Sequence, residues 1–377
     1  MTERRPSGRR IRCPGGYKAF VPDPLPPRLD WTAQLAKVLS DADRAVGRLA
    51  GEGRRLPNPH LLIRPFVKRE AVLSSRIEGT QATLGELLSV EAGAAVDRSP
   101  ADLREVANYV TALEYGVRRL ETLPLSLRLV RELHARLMAG VRGEAATPGR
   151  FRRSQNWIGR PGCTLATATY VPPPPDRLMD CLSAWETFQH DTSLPPLVQV
   201  GLAHSHFEAI HPFLDGNGRV GRLLIMLFLV ERQILPAPLL YLSAFFEATR
   251  DQYYDRLLGV TERGEWEAWL EYFLTGVARQ AEDAVSRAQR IDALLTSWRA
   301  KVVRIASKPA ADMIDLLAEN PFCTATGIAK RLSIAFTTAQ RAIDRLESAG
   351  VVIQVSAAKR NRVYCAQAIL DILEEPA

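Results

Sequence analysis

His211-Pro212-Phe213-Leu214-Asp215-Gly216-Asn217-Gly218-Arg219-Val220-Gly221-Arg222 is the stretch that decides how this chain is read. A Gly-Asn-Gly turn that opens a helix aims consecutive backbone N–H groups at an anion, and the positive helix end adds to the attraction. Glycine lets that backbone come close, with no Cβ in the way. Arg219 and Arg222, three apart at the helix start, share a face and can clamp further phosphate oxygens. Asp215 beside such a nest would be repelled by phosphate unless a bridging Mg²⁺ removes the objection. His211 is the group here that takes a proton near neutral pH. Together these residues describe a nucleoside triphosphate site with a base and a metal ligand. The competing reading is a helix–turn–helix with two surface arginines. It would win for a lone Gly-Asn-Gly and loses to the whole string. His204 and His206 do not extend the site into a metal cluster, because they point to different helix faces; they read as packing or orienting histidines.

Outward from this string the pattern is mainly helical. Apolar spacing predicts helices from Trp31 to about Gly51, from about Pro65 to Gly79, from Ala101 to Thr122 and from Ser126 to Ala139. Others are expected over Asp176–His190, Leu197–Ile210, Arg219–Ile234, Leu242–Gly259 and Glu265 to about Ala306. Between Thr147 and Pro175 the character changes to glycines, β-favouring residues and four prolines. A β-hairpin followed by a stiff loop is expected there. Residues 1–15 read as a disordered basic arm, and the proline-rich run from 13 to 30 as extended chain.

Composition sets the outer bounds. The 377 residues are 46% apolar and 24% charged, enough for two or three domains and a real core. Five scattered cysteines with no CxxC pair argue against a disulfide framework or a zinc ribbon. The longest apolar run, Leu223–Val230, is far short of a membrane span, and the N-terminus has no secretory h-region. A cytoplasmic protein with no membrane partner is expected. The net charge of +7 permits a polyanionic partner without requiring one.

The central string resembles the Fic family motif HPFx(D/E)GNGRxxR at every defined position. Gly149-Arg150-Phe151-Arg152 with Gln155-Asn156-Trp157-Ile158-Gly159 is similar to the family's substrate-side flap. Tyr170-Val171-Pro172-Pro173-Pro174, Tyr241-Leu242-Ser243, Ala19-Phe20-Val21-Pro22 and Pro24-Leu25-Pro26-Pro27 also resemble longer bacterial members. The resemblance covers about residues 15 to 300. It implies a Fic-type helical bundle with a small β-hairpin flap, comprising an N-terminal helical region at 16–115 and a catalytic core at 116–300. The activity it implies is transfer of AMP from ATP to a Ser, Thr or Tyr hydroxyl of a target protein, automodification included, releasing pyrophosphate. His211 would be the base and Asp215 the Mg²⁺ ligand. Gly216, Asn217 and Gly218 would form the anion hole, continued by Val220 and Gly221, with Arg219 and Arg222 on the outer phosphates. Phe213 would anchor the loop in the core, and Tyr254 would lie near the nucleotide. The flap residues Trp157, Ile158, Gly159, Thr169, Tyr170 and Val171 would add a strand to the target segment. A homodimer is expected from the resemblance and from general frequency.

Ser74-Ser75-Arg76-Ile77-Glu78-Gly79 matches the family's inhibitory pattern (S/T)xxxE(G/N), N-terminal to the site. Glu78 falls at a helix end, where a carboxylate meets the negative dipole and gains nothing locally. A buried arginine would explain it, and the resemblance names Arg222. The pair would take the γ-phosphate's seat, with Ser74 and Gly79 completing the inhibitory element on a helix at about 65–79. The plain alternative is a solvated glutamate near a helix end.

Residues 308–377 read as a winged helix-turn-helix of three short helices and two strands. Phe336–Ala349 is its third helix, with Ala339, Ile343 and Leu346 inward and Gly350 as the stop. Thr337, Thr338, Gln340, Arg341 and Arg345 would be exposed where a recognition helix reads DNA, and Arg360 at the hairpin tip would meet phosphate. Residues 301–377 carry ten basic and eight acidic side chains, which is weak for a dedicated DNA binder. Docking of a protein, a second copy of this chain included, competes with DNA on the same scaffold. Two alternatives to AMP transfer stay open: a DNA-binding regulator that senses nucleotide through its Fic domain, or a Fic enzyme that transfers UMP, phosphate or phosphocholine.

Overall fold

Strands β1 (Gly8–Arg12) and β2 (Lys18–Pro22) pair antiparallel, with Arg10 opposite Phe20 and Arg12 opposite Lys18. In this computed structural model, residues 6–55, 59–94, 100–141, 147–160, 162–303, 307–356 and 361–376 are described. The helices that follow are α1 (Ala33–Arg55), α2 (Pro59–Ile77), α3 (Leu84–Glu91), α4 (Pro100–Arg119), α5 (Leu127–Leu137) and α6 (Pro175–Gln189). Then come α7 (Pro196–Ile210), α8 (Asn217–Glu231), α9 (Ser243–Ala248), α10 (Arg250–Arg263) and α11 (Trp266–Val303). The C-terminal module contains α12 (Lys308–Glu319), β3 (Phe322–Thr324), α13 (Ala325–Leu332), α14 (Phe336–Ser348), β4 (Ile353–Gln354), β5 (Val363–Cys365) and α15 (Gln367–Glu374). Its three strands lie in the order β3-β5-β4, all antiparallel.

α7 and α8 are apolar around nearly their whole circumference, which only burial on every side can accommodate. They pack on each other and are walled by α2, α4, α5, α6, α10 and α11. Trp185 and Trp269 fill the space beside α7, and their indole N–H groups donate to the carbonyls of Ala203 and Gly201 at 2.9 Å each. Because the core holds α7 and α8 rigidly, the turn between them is fixed at both ends. That turn is the Gly-Asn-Gly string.

α2 is a seam. One side meets α4, α8 and α9, and the other meets α12 and α15 of the winged module. Arg64 pairs with Glu319 at 2.9 Å across that second side, and Arg69 donates to the Glu375 carbonyl at 3.4 Å. No helix among the described residues is long and apolar enough to cross a membrane.

Several expectations need correction. The described part of the basic arm is not disordered. Residues 8–12 form a strand because Lys18–Pro22 offers a partner edge and Gly15 and Gly16, both at positive φ, close the turn. The expected flap hairpin reduces to one bridge, Ile158 with Tyr170. The chain between them folds into local turns instead, with the Thr167 hydroxyl accepting from the Thr164 N–H at 3.0 Å. α2 begins at Pro59 and carries Pro65 within it. α3 and α15 were not anticipated. α3 had a legible signal in the Thr83–Glu86 capping box, which satisfies two N–H donors at the helix N-terminus. The expected Leu242–Gly259 helix is broken at Thr249 into α9 and α10.

Candidate active site

α7 ends at His211, which adopts a left-handed backbone (φ 48°), and α8 starts after Gly216 (φ 77°). A histidine at positive φ needs its surroundings to hold it there. Arg152 does much of that: its Nε donates to the His211 carbonyl at 3.0 Å, and its backbone N–H donates to Pro212 at 2.9 Å. The Asn156 amide donates to the Phe213 carbonyl at 2.8 Å. So Arg152 and Asn156, expected within a target-side flap, brace the loop from behind.

Asn217 closes the turn on itself. Its Oδ1 accepts from the Phe213 N–H at 2.8 Å and its Nδ2 donates to the Phe213 carbonyl at 2.9 Å. Phe213 is fully buried, as expected of an anchor, and stacks on His134 with centroids 3.7 Å apart. His134 was not foreseen. Its Nδ1 accepts from the Gly149 N–H at 2.8 Å, so the Nε2 proton donates to the Asp215 carbonyl at 3.0 Å. Burial pushes this imidazole down to about 4, so the tautomer stays neutral at physiological pH.

A cavity of about 610 Å³ opens beside the loop. Its walls include His211, Gly218 and Arg222 from the string, Glu78 from α2, and Trp157, Ile158, Gly159, Thr169 and Tyr170 from the flap. Tyr254 also lines it, accompanied by Leu257, Leu258 and Thr261 on the same helix. Tyr254 was expected there; Leu257, Leu258, Thr261 and Arg250 of α10, with Ser205 and Glu208 of α7, escaped the sequence reading. Their spacing marks them only as helix positions. Val171 does not reach this cavity; its carbonyl accepts from the Phe20 N–H at 2.8 Å.

Arg222 is almost wholly buried. Its Nη2 contacts Glu78 Oε1 at 2.7 Å, and Ser74 accepts from it through Oγ (2.8 Å) and the backbone carbonyl (2.9 Å). Burial works against the Glu78 charge, but the Arg222 cation and hydrogen bond outweigh it and hold the carboxyl below its usual range. Gly79 ends the helix at φ 100°, a conformation that suits glycine. Gly218 faces this pair so closely that a Cβ there would lie 2.3 Å from Glu78 Oε1.

Other motif residues are placed differently from the expectation. Arg219 does not line the cavity: it is buried towards Glu105 (3.6 Å) and Asp215 (3.5 Å). Three residues are only 300° of helix, so the two arginines diverge by about 60°, one towards α4 and the other towards α2. Val220 is packed in the core, and Gly221 leaves room for the Glu208 carboxyl. Asp215 keeps 49% of its side chain exposed at the loop's rim, its Oδ1 accepting from the Gly216 N–H at 2.6 Å. His204 and His206 are buried orienting groups, on Tyr253 Oη at 2.8 Å and the Asp23 carbonyl at 3.0 Å.

The chemistry of the walls is uneven. Burial, with help from the Arg152 charge, pushes His211 down to about 4, so its imidazole is unprotonated at neutral pH and able to accept a proton. Burial pushes Glu208 up to about 8, and Glu78 adds to the shift. Among the described residues no three His, Cys, Asp or Glu side chains gather as a metal cage. A single carboxylate, Asp215, completed by phosphate oxygens is a donor set that Mg²⁺ accepts.

In the winged module, Thr337, Arg341 and Arg345 are exposed on α14, while Thr338 and Gln340 are half-buried. Gln340 donates to Tyr364 Oη at 3.1 Å, which turns it towards the wing. Arg360 lies outside the described residues.

The N-terminal model of the Fic/DOC family matches residues 36–118, the Fic/DOC family model residues 124–229, and a winged helix-turn-helix DNA-binding model residues 312–353. Among curated proteins, the protein adenylyltransferase Fic of Drosophila virilis is 34% identical over 161 residues, 41% of this chain and 31% of that protein. The Drosophila ananassae counterpart is 32% identical over 161 residues, 41% of this chain and 30% of that protein. The chain thus matches under a third of the length of either. Among solved structures, a Fic family protein from Desulfovibrio desulfuricans G20 aligns over 91% of this chain and 98% of its own, with a TM-score of 0.60 and 21% identity. Fic-1 from C. elegans aligns over 68% and 74%, with a TM-score of 0.50 and 22% identity. At these identities the two structures speak for the fold alone.

Proposed function

We propose that this chain, which carries the N-terminal and Fic domains of the Fic/DOC family followed by a winged helix-turn-helix, transfers AMP from ATP to a protein hydroxyl and is restrained by Glu78. The observation that carries the reading is one cavity walled together by His211, Gly218, Arg222 and Glu78. In the transfer, the target's hydroxyl oxygen bonds to the α-phosphorus as the bond to the α–β bridging oxygen breaks. Pyrophosphate leaves with that electron pair. The hydroxyl proton passes to the His211 imidazole, which is neutral and positioned at the wall. The free N–H groups at the start of α8 face the phosphate charge, and the low-polarity walls strengthen their pull. Asp215 is the residue to hold Mg²⁺, which would neutralise phosphate charge when bound. Tyr254, Leu257 and Leu258 offer an apolar wall to a base. The exposed Trp157 and Ile158 flank the opening where a target segment would lie.

Glu78 supports the restraint. An anion already seated on Arg222 at 2.7 Å competes directly with a terminal phosphate for the same guanidinium. Intact-mass measurement after incubation with Mg²⁺ and ATP tests the whole reading on wild type, Glu78→Gly, and Glu78→Gly with His211→Ala. The expected result is added AMP in Glu78→Gly alone, on itself or on proteins of a cell extract. Added phosphate would overturn the donor chemistry, and no AMP on any protein would reject the transfer.

A second reading concerns the C-terminal module. Thr337, Arg341 and Arg345 project from α14 into solvent, which supports DNA contact there. A salt-sensitive shift of a DNA fragment, weakened by Arg341→Ala, is expected; no shift at low salt would leave protein docking as that module's role.

A further inference from the structure

A second groove, about 500 Å³, lies on the other side of the flap segment and shares Thr169 and Tyr170 with the catalytic cavity. Its far wall is the N-terminal hairpin. In the register of β1 and β2, directly opposed residues share a face, so Arg10 and Phe20 stand together, as do Arg12 and Lys18. Phe20 meets Tyr170 with ring centroids 5.9 Å apart, which aims this face at the groove. The hairpin is fastened to the flap by the Phe20 N–H on the Val171 carbonyl, and to Gln155 by the Tyr17 hydroxyl at 3.2 Å. Arg10 and Lys18 therefore line a groove that continues from the reaction site, and Arg12, opposite Lys18 on the same face, extends the row beyond that lining. Arg10 holds Glu262 of α10 at 3.0 Å, in an exposed pair that exchanges readily. Arg12 and Lys18 have no ion-pair partner among the described residues, and both are exposed. The groove's other wall, Leu165, Ala166 and Ala168, carries no charge.

We propose that this groove takes an acidic stretch of the target protein next to the hydroxyl being modified, with Arg12 and Lys18 reading its carboxylates and Arg10 exchanging Glu262 for one of them. The proposal rests on the transferase reading for the identity of the occupant. Backbone pairing along a flap is indifferent to side chains, so the row supplies a selectivity that the flap lacks. Charge complementarity of this kind acts mainly on partner choice and encounter, and weakens with salt.

The test uses the full chain carrying Glu78→Gly, with three fluorescent peptides that share one central serine and differ in flanks of glutamate, glutamine or lysine. Anisotropy should give about fivefold tighter binding of the glutamate peptide than of the glutamine one, an advantage that shrinks in 0.3 M salt. The advantage should vanish in Arg12→Ser with Lys18→Ser and pass to the lysine peptide in Arg12→Glu with Lys18→Glu. Tm and ATP affinity, measured alongside, should not change, since these side chains are exposed and outside the catalytic cavity. Equal binding of glutamate and glutamine peptides, or a glutamate preference that survives charge reversal, overturns the proposal. So does an oligonucleotide that binds the row as tightly as the glutamate peptide and is lost in the same variants. AMP transfer is read separately: peptides bound with the expected preference but never modified would count against the transferase reading and leave the docking row standing.

Discussion

Replacing Glu78 by glutamine or glycine tests whether the carboxylate occupies a phosphate seat, without requiring a target protein. On the proposed reading, ATP has to displace Glu78 from Arg222, so its apparent affinity in wild type is reduced by the strength of that contact. A hydrogen bond to a charged group is worth roughly 1.5–3 kcal/mol, against about 1 kcal/mol for a neutral pair. Arg222 is 1% exposed, but Glu78 keeps 34% of its side chain accessible, so solvent screening favours the lower end. Glutamine keeps the shape and loses the charge, a change of about 0.5 kcal/mol, which raises ATP affinity roughly twofold. Glycine removes the competitor altogether, about 1.5 kcal/mol or roughly tenfold. The guanidinium does not wander in either variant, because Ser74 still holds it through Oγ and the carbonyl. Both variants should also melt earlier than wild type without nucleotide, since a buried cation loses its counter-charge, and regain stability with ATP. Calorimetric titration of the full chain with Mg²⁺–ATP reads the affinities. Glycine and wild-type affinities within twofold of each other would refute the idea that Glu78 holds the seat.

Three further outcomes are expected. In Glu78→Gly, kcat/KM for AMP transfer should hold as pH falls through 6.5 and fail only towards about 4, because the neutral form of a depressed His211 is the active one; an acid limb at 6 or above contradicts this. His134→Leu strands the buried Gly149 N–H and frees the Asp215 carbonyl, so urea unfolding should report a loss of roughly 2–4 kcal/mol, and a loss under about 0.5 kcal/mol would remove His134 from its bracing role. Gly218→Ala puts a methyl 2.3 Å from Glu78 Oε1 and 2.9 Å from Arg222 Nη1, so it should expel the carboxylate yet weaken ATP binding by about tenfold even beside Glu78→Gly. Undiminished ATP binding in that double variant would show that the wall at Gly218 does not face the phosphates.

Much of the site was legible because it is local. His211, Gly218 and Arg222 lie within one twelve-residue string, where turn chemistry and helix start constrain each other and a single sequence is enough. Helical periodicity likewise located most of the bundle, since a one-sided apolar stripe depends only on neighbours three and four apart. The recognition of a winged module at the C-terminus rested on the same kind of signal.

What stayed hidden is what distant segments do to one another. The sequence by itself determined the class of the fold, the Gly-Asn-Gly turn that opens α8, and the presence of His211 and Arg222 on either side of it. It also held, as a short pattern, a glutamate awaiting a partner. Only the tertiary structure decided that Arg222 turns to α2 while Arg219 turns to α4, because 60° of helix rotation means nothing until the neighbouring helices are in place. The same holds for His134, Arg152 and Asn156, whose work consists of hydrogen bonds to a loop 55 or more residues away. The N-terminal arm is the plainest case. Its arginines suggest solvated charge when read alone, and they become a strand and one wall of a groove only because Lys18–Pro22 and the flap at Val171 offer backbone partners that no local pattern announces.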